Sequence, residues 1–175
     1  MMVAYTVPGM KMGDAEKVIG QLQDRLNALN DLALTLRHVH WNVTGPHFIA
    51  VREMVDETAE RIAALGGSPV GTPGALAAQR SWDDYSVGRA DSIAHLGALD
   101  IVYAGIIEAH RAAIDSTEET DLVTQDMLIG QARQLEEFQW FVRAHLESAD
   151  GTLSTVGVST EGAAAKRATR KAKAR

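Results

Sequence analysis

Two pairs of residues have types and spacings that could do chemistry. His38 and His40 stand two apart in LRHVHWN, and Asp56 and Glu60 stand four apart in VDETAER. Carboxylates one turn apart share a helix face. With an imidazole they make an oxygen-rich donor set with open positions, which suits iron. Side chains two apart on a helix diverge, so only one of His38 and His40 can face such a site. The bland reading stands beside this one. Either histidine could be structural, and Asp56, Glu57, Glu60 and Arg61 also read as an ordinary solvated face, which composition alone favours.

A second constellation lies at the C-terminus. Lys166, Arg167, Arg170, Lys171, Lys173 and Arg175 place six cations in the last ten residues, with no acidic residue after Glu161. Residues 1–149 carry 11 Lys+Arg against 21 Asp+Glu, whereas residues 150–175 carry 6 against 2, so an acidic body bears a basic end. Such asymmetry points to a tail that meets nucleic acid or another acidic surface; a merely solubilising tail is the alternative. No aromatic residue is interleaved, so neither base stacking nor sequence preference is expected.

The elements that must position these groups follow from periodicity. Apolar residues at Ala15, Val18, Ile19, Leu22, Leu26, Leu29, Leu32, Leu36 and Val39 predict an amphipathic helix from Asp14 to about Trp41. Gly45-Pro46 breaks it. A second pattern through Phe48, Val51, Val55, Ala59, Ile62 and Leu65 stops at Gly66-Gly67, a C-terminal glycine signal. A third runs from Ile93 to Ile114. A fourth begins near Thr120 to Thr124, with Asp121 and Asp126 suited to the positive end of its dipole, and continues to Leu146. The link GGSPVGTPGALAAQRSWDDYSVGRA between the second and third helices is far longer than the usual ~2 to 8 residues between bundle neighbours. Short, long, short connections predict an all-α, ferritin-like four-helix bundle with a crossover. The expected organisation is an N-terminal extension over 1–13, the bundle over 14–149, and a disordered basic tail over 150–175, because the tail's own small residues offer too little apolar surface to offset ordering.

A chain of 175 residues suits one domain. It has no cysteine, so thiolate chemistry and disulfides are excluded, in keeping with a reducing compartment. MMVAYTVPGMKMGDAEK has no apolar stretch behind a basic start, and no apolar run approaches the ~18 to 20 residues of a membrane span. The expectation is a soluble cytoplasmic protein with no membrane partner.

HWNVTGPHFIAV, DETAERIAALGGSPVGTP, SWDDYSVGR and LEEFQWFVRAHLES occur in that order, and the stretch from about 14 to 149 resembles the Dps family, the DNA-binding ferritin-like proteins of starved cells, in its actinobacterial form. The resemblance implies a small helix in the crossover near Ser81 to Val87, a hollow homododecamer, and ferroxidase activity: ferrous iron oxidised between two-fold related subunits, preferably by hydrogen peroxide, and stored as a ferric core. It further implies non-specific binding of double-stranded DNA and a nucleoid-associated, cytoplasmic location. His40 matches the family's first ligand, and Asp56 and Glu60 match the pair supplied across the interface. Asp121 and Asp126 match acidic positions at the three-fold iron-entry pore, although capping by the helix dipole explains them equally. Trp41 and Trp140 are expected to be packing residues.

One departure stands out. Family members carry H-x-x-x-D-P-x-V after FIAV, and here FIAV runs straight into REMVDETAER, so a His-x-x-x-Asp ligand pair and about eleven residues are missing. Placing Arg52 at the histidine's position would need a substitution as well as a deletion, so simple deletion is preferred. Eleven residues turn a helix by about three revolutions plus 20°, leaving its apolar face in phase while shortening it by ~16 Å. The expected second helix has about 20 residues beside a first helix of nearly 30. The rival reading is a DNA-compacting scaffold of the same fold with an impaired or lost ferroxidase site. A haem-bearing bacterioferritin is disfavoured, since the repeated Glu-x-x-His ligand pattern is absent and no haem is expected.

Overall fold

The computed structural model describes the backbone of residues 5–42 and 50–173, with the side chains of His40, Trp41, Asn42, Ala50 and Arg52 outside that description. Among the described residues six helices occur in chain order: α1 (Met12–Asn42), α2 (Ala50–Ala64), α3 (Pro73–Gln79), α4 (Ser92–Thr117), α5 (Leu122–Ala144) and α6 (Glu161–Lys173). The only extended pairing among the described residues is an isolated bridge between Glu147 and Leu153. The chain divides into two compact units. One takes in residues 1–34, 47–81 and 109–131, the other 35–46, 82–108 and 132–175.

In the first unit the i, i+3, i+4 stripe of α1 meets three other helices. Val18, Ile19, Leu22 and Leu26 form one buried cluster with Ile62 and Leu65, Ala113 of α4 and Leu128 of α5, and Val7 and Met10 of the N-terminal segment pack against it. The crossover is strapped to α1 by side-chain amides. Gln23 donates from Nε2 to the Val70 carbonyl at 2.9 Å and accepts from the Val70 amide at 3.0 Å, while Asn27 Nδ2 donates to Gln79 Oε1 at 3.1 Å. These bonds satisfy backbone and amide groups that the link would otherwise bury unpaired.

The glycine signal after α2 is a Schellman closure. Gly66 takes φ +86°, its amide donates to the Ala63 carbonyl at 3.0 Å, and the Gly67 amide reaches back to the Ile62 carbonyl at 2.9 Å. Gly67 is needed for a different reason. A Cβ there would lie 2.8 Å from Ile62 Cγ2 and 3.0 Å from Ile19 Cγ2.

The crossover's short helix is α3 at Pro73–Gln79, and the expected helix at Ser81 to Val87 is not formed. The physical reason is local. Pro73 sits in the first turn, where its fixed φ and missing N–H are harmless, and Ala75, Leu76, Ala77 and Ala78 are strong helix formers. Residues 81–87 instead commit their polar groups elsewhere: the Tyr85 hydroxyl bonds His95 Nδ1 at 3.1 Å, and the Ser86 amide donates to Glu161 Oε2 at 2.7 Å.

In the second unit residues 161–173 form α6, within the stretch 150–175 where the sequence led to an expectation of disorder. Ser154 and Thr155 are buried, and α6 packs Ala164, Ala165 and Ala168 inward. The small residues of the tail meet an equally small face of α4 (Ala94, Gly97 and Ala98), so the helices approach closely although neither buries much area. Asp100 of α4 adds a polar anchor. It is 3% exposed and accepts from Gln139 Nε2 at 3.0 Å, Arg143 Nε at 2.7 Å and Thr155 Oγ1 at 2.6 Å.

By length and composition α4 could cross a membrane. Its buried His95, Asp100 and His110 and their partners Tyr85, Gln139 and Gln131 mark it instead as a core helix. Trp140, expected to pack inside, is 62% exposed, with its ring centre 4.8 Å from that of Phe141. Trp41 lies outside the described side chains.

Candidate metal and nucleic-acid sites

The face that α2 presents follows from its sequence. Val51, Met54, Thr58, Ile62 and Leu65 point inward, so Asp56 and Glu60, each about 200° from a buried neighbour two residues before it, point out. Both carboxylates are exposed and lie one turn apart on the same face. Among the described residues, no three His, Asp or Glu side chains converge within this one chain to hold a metal. His40 lies at the end of α1, and its side chain is outside the description. His38, the other histidine of the motif, has its Nε2 3.3 Å from the Val87 carbonyl and its ring edge-on to Tyr85 at 5.9 Å. Of the two histidines, His38 thus has a structural setting of its own.

Tyr85 in turn stacks on His95. Burial, reinforced by the Glu161 carboxylate, pushes the Tyr85 hydroxyl well above its ordinary range. Burial and the nearby His38 lower His95, and the Gly88 carbonyl, as an acceptor, offsets part of that. This cluster ties the crossover to the start of α4 and belongs to packing.

Arg61, immediately after Glu60, turns the other way. Its Nη2 meets Asp121 Oδ2 at 2.7 Å and its Nε donates to Thr124 Oγ1 at 3.0 Å. Asp121 is also the N-cap of α5, accepting from the Val123 amide at 3.3 Å and from the Thr124 hydroxyl. Burial works against its ionisation, but the bonds from Thr124 and Arg61 outweigh that, and its carboxyl titrates below the ordinary range. Of the two acidic residues of this helix start, Asp121 is therefore turned into the protein and Asp126 is exposed. The role of Arg61 was not found from sequence, because its partner lies sixty residues away. The spacing of Asp121 and Thr124 ahead of an apolar helix was the available cap signal.

On α6, the three buried alanines set the orientation of the cations. Lys166, Arg170 and Lys173 are exposed, at spacings of four and three that put them on one face. Arg167 is half-buried and donates from Nη1 to the Val156 carbonyl at 2.6 Å, and Lys171 is half-buried. Arg175 lies outside the described residues.

Comparison with known proteins fits this architecture. The family model described as a ferritin-like domain matches residues 19–151. The DNA protection during starvation protein of Mycolicibacterium smegmatis is 55% identical, over 97% of this chain and 99% of its own length. The fine tangled pili major subunit of Haemophilus ducreyi is 42% identical over 85% of each chain. Among solved structures, DpsA14 from Streptomyces coelicolor superposes with a TM-score of 0.84 at 61% identity, covering 89% of this chain and 99% of that one. With an all-helical fold, a crossover helix and matches of this extent, the chain belongs to the Dps family of ferritin-like proteins.

Proposed function

We propose that this protein is a cytoplasmic ferroxidase of the Dps kind that takes ferrous iron as substrate, oxidises it preferably with hydrogen peroxide, sequesters the ferric product and binds double-stranded DNA without sequence preference. The observation that carries the reading is the outward pair Asp56 and Glu60 on α2, one turn apart and free of burial, in a chain of this family. His40 of one subunit with Asp56 and Glu60 of its neighbour would supply one imidazole and two carboxylates, a set suited to ferrous iron with positions left for water and oxidant. Asp126, exposed near the start of α5, is the residue proposed to line an iron-entry pore, with Asp121 holding that helix start in place. Assembly into a closed homo-oligomer, proposed as a dodecamer, is supported by the apolar surface that α5 leaves uncovered: Leu122, Val123, Trp140 and Phe141 are all exposed.

A second reading, a DNA-compacting scaffold with an impaired oxidation site, has its own support. The alignment to the M. smegmatis protein runs over 181 positions while taking in 97% of a 175-residue chain, which leaves about eleven positions without a residue here. Loss of a His-x-x-x-Asp pair would leave one iron position short of ligands.

The test is the rate of ferrous oxidation by peroxide in the assembled protein and in Glu60→Ala. A rate above that of free iron that falls in the variant supports the enzyme. A rate equal to free iron, with DNA retardation intact, leaves the scaffold. For the DNA function, removal of residues 166–175 is expected to abolish gel retardation at ~0.1 M salt, since the acidic body repels phosphate and only close contacts survive screening.

A further inference from the structure

We infer that the docking of α6 on α4 is an autoinhibitory contact that sets how many of the tail's cations reach DNA. The inference rests on the proposal that the tail binds DNA and adds its control.

Docking seats the cations unequally. Lys166, Arg170 and Lys173 stand on the outer face, whereas Arg167 is bonded to the Val156 carbonyl and Lys171 sits half-buried at the edge of the packed face. Phosphate can meet the outer row while the helix stays down. Arg167 is drawn onto the Val156 carbonyl and Lys171 is partly covered, so docking holds both back from that row.

The contacts that hold the helix down are few and of a kind that can reverse. At its centre the Gly97 backbone of α4 faces the Ala164 carbonyl and the Ala168 methyl so closely that a Cβ on Gly97 would lie 2.8 Å and 2.9 Å from them. At its N-terminus Glu161 accepts from the Ser86 amide at 2.7 Å and the Ser86 hydroxyl at 3.0 Å, and both bonds are exposed. The apolar part of the contact is three alanines against an alanine and glycine face, with Tyr85, Val87 and Ala90 packed against the same cluster. Like charges spaced along α6 repel one another in the docked helix. A bound polyanion would gain two further contacts if the helix came away, and in the parent the docking contacts at Gly97 and Glu161 withhold them.

The experiment compares the full-length assembled protein with Gly97→Leu, which pushes α6 off, and with Ala168→Gln, which does the same from the α6 side with the α4 sequence intact. Release is read as faster hydrogen exchange of amides 164–173. Retardation of a random DNA duplex is measured across a salt series. The released variants are expected to steepen the dependence of log K on log salt by about 2 per tail, because two cations each contribute about 0.9. Arg167→Ala should lower the slope of a released variant by about 1 per tail. Rapid exchange in either variant with an unchanged slope overturns the inference. Deleting residues 161–175 separates the two claims. If retardation survives the deletion, tail binding itself is wrong; if it is lost while release leaves the slope unchanged, only the autoinhibition is wrong.

Discussion

Arg61 and Asp121, sixty residues apart in sequence, meet at 2.7 Å with 15% and 7% of their side chains exposed. The pair joins the helix that carries the candidate iron ligands to the first turn of α5, and it places Arg61 opposite in direction to its neighbour Glu60. Asp121→Ala removes both the cap and the partner of a largely buried guanidinium, and is expected to cost about 2 to 4 kcal/mol. The Asp121 carboxyl titrates below its ordinary value of 3.8 in the folded protein. Its contribution is therefore fully present above that value and is lost as pH falls through the lower folded value. Denaturant midpoints between pH 5 and 2 check this: the parent should lose more stability over that range than Asp121→Ala, and parallel curves would show that the pair is not linked to acid unfolding.

The end of α2 offers a cleaner backbone test. Gly66→Ala forces a Cβ into φ +86°, and about 1 to 2 kcal/mol is expected. Gly67→Ala has no such φ, yet its Cβ would press on Ile62 and Ile19 within the core, so about 1 to 3 kcal/mol is expected. Thermal unfolding of each variant measures the costs, and a shift in neither would mean that the turn yields without strain.

The long helices were legible because their apolar residues recur with the period of the face they bury, as Val18, Leu22 and Leu26 do on α1. Gly66 was legible because only glycine readily takes its φ. What a local reading misses is whatever depends on a distant surface. The tail's alanines looked too small to bury much surface, and in α6 they pack against Gly97 and Ala94, which are small as well. Arg61 looked like part of a solvated face and is committed to Asp121. Trp140 looked like core because aromatics usually are, and in this chain it is exposed. For the iron site proposed between two subunits, the shared face of Asp56 and Glu60 was visible in their spacing, whereas His40 was singled out from His38 only through the family resemblance.

Asp100 is the node that ties the C-terminal segment down. It joins Gln139 and Arg143 of α5 to Thr155 ahead of α6. Asp100→Ala strands buried donors, with about 2 to 4 kcal/mol of lost stability expected. Limited proteolysis should cut between 150 and 160 faster in this variant than in the parent. Equal cutting would assign the order of that segment to packing alone.

Trp140 should matter to assembly far more than to the fold of the subunit. Its ring is mostly exposed, so Trp140→Ala is expected to change the stability of the isolated subunit by no more than about 0.5 kcal/mol. Light scattering at micromolar concentration should return a closed oligomer for the parent and a larger share of smaller species for the variant. An assembled parent with an unaffected variant would place the subunit contacts elsewhere, and a parent that stays monomeric would end the proposal of a dodecamer.

The sharpest test of the oxidation site is to lengthen α2. Insertion of eleven residues between Val51 and Arg52, bearing a His-x-x-x-Asp pair on a helical sequence, adds about 16 Å and rotates the remainder of the helix by only about 20°, so Met54, Thr58 and Ile62 can still face the core. The outward direction of Asp56 and Glu60 is retained with them. If missing ligands limit the reaction, the lengthened protein should bind ferrous iron more tightly and oxidise it with peroxide roughly tenfold faster or more, as expected when a ligand pair is restored. DNA retardation should stay the same, because α6 is untouched. An insertion carrying alanine at the histidine and aspartate positions controls for helix length, and it should leave the rate where it began. Should the parent oxidise iron as fast as its lengthened form, the pair is dispensable, and the assignment of His40, Asp56 and Glu60 as the iron ligands has to be given up.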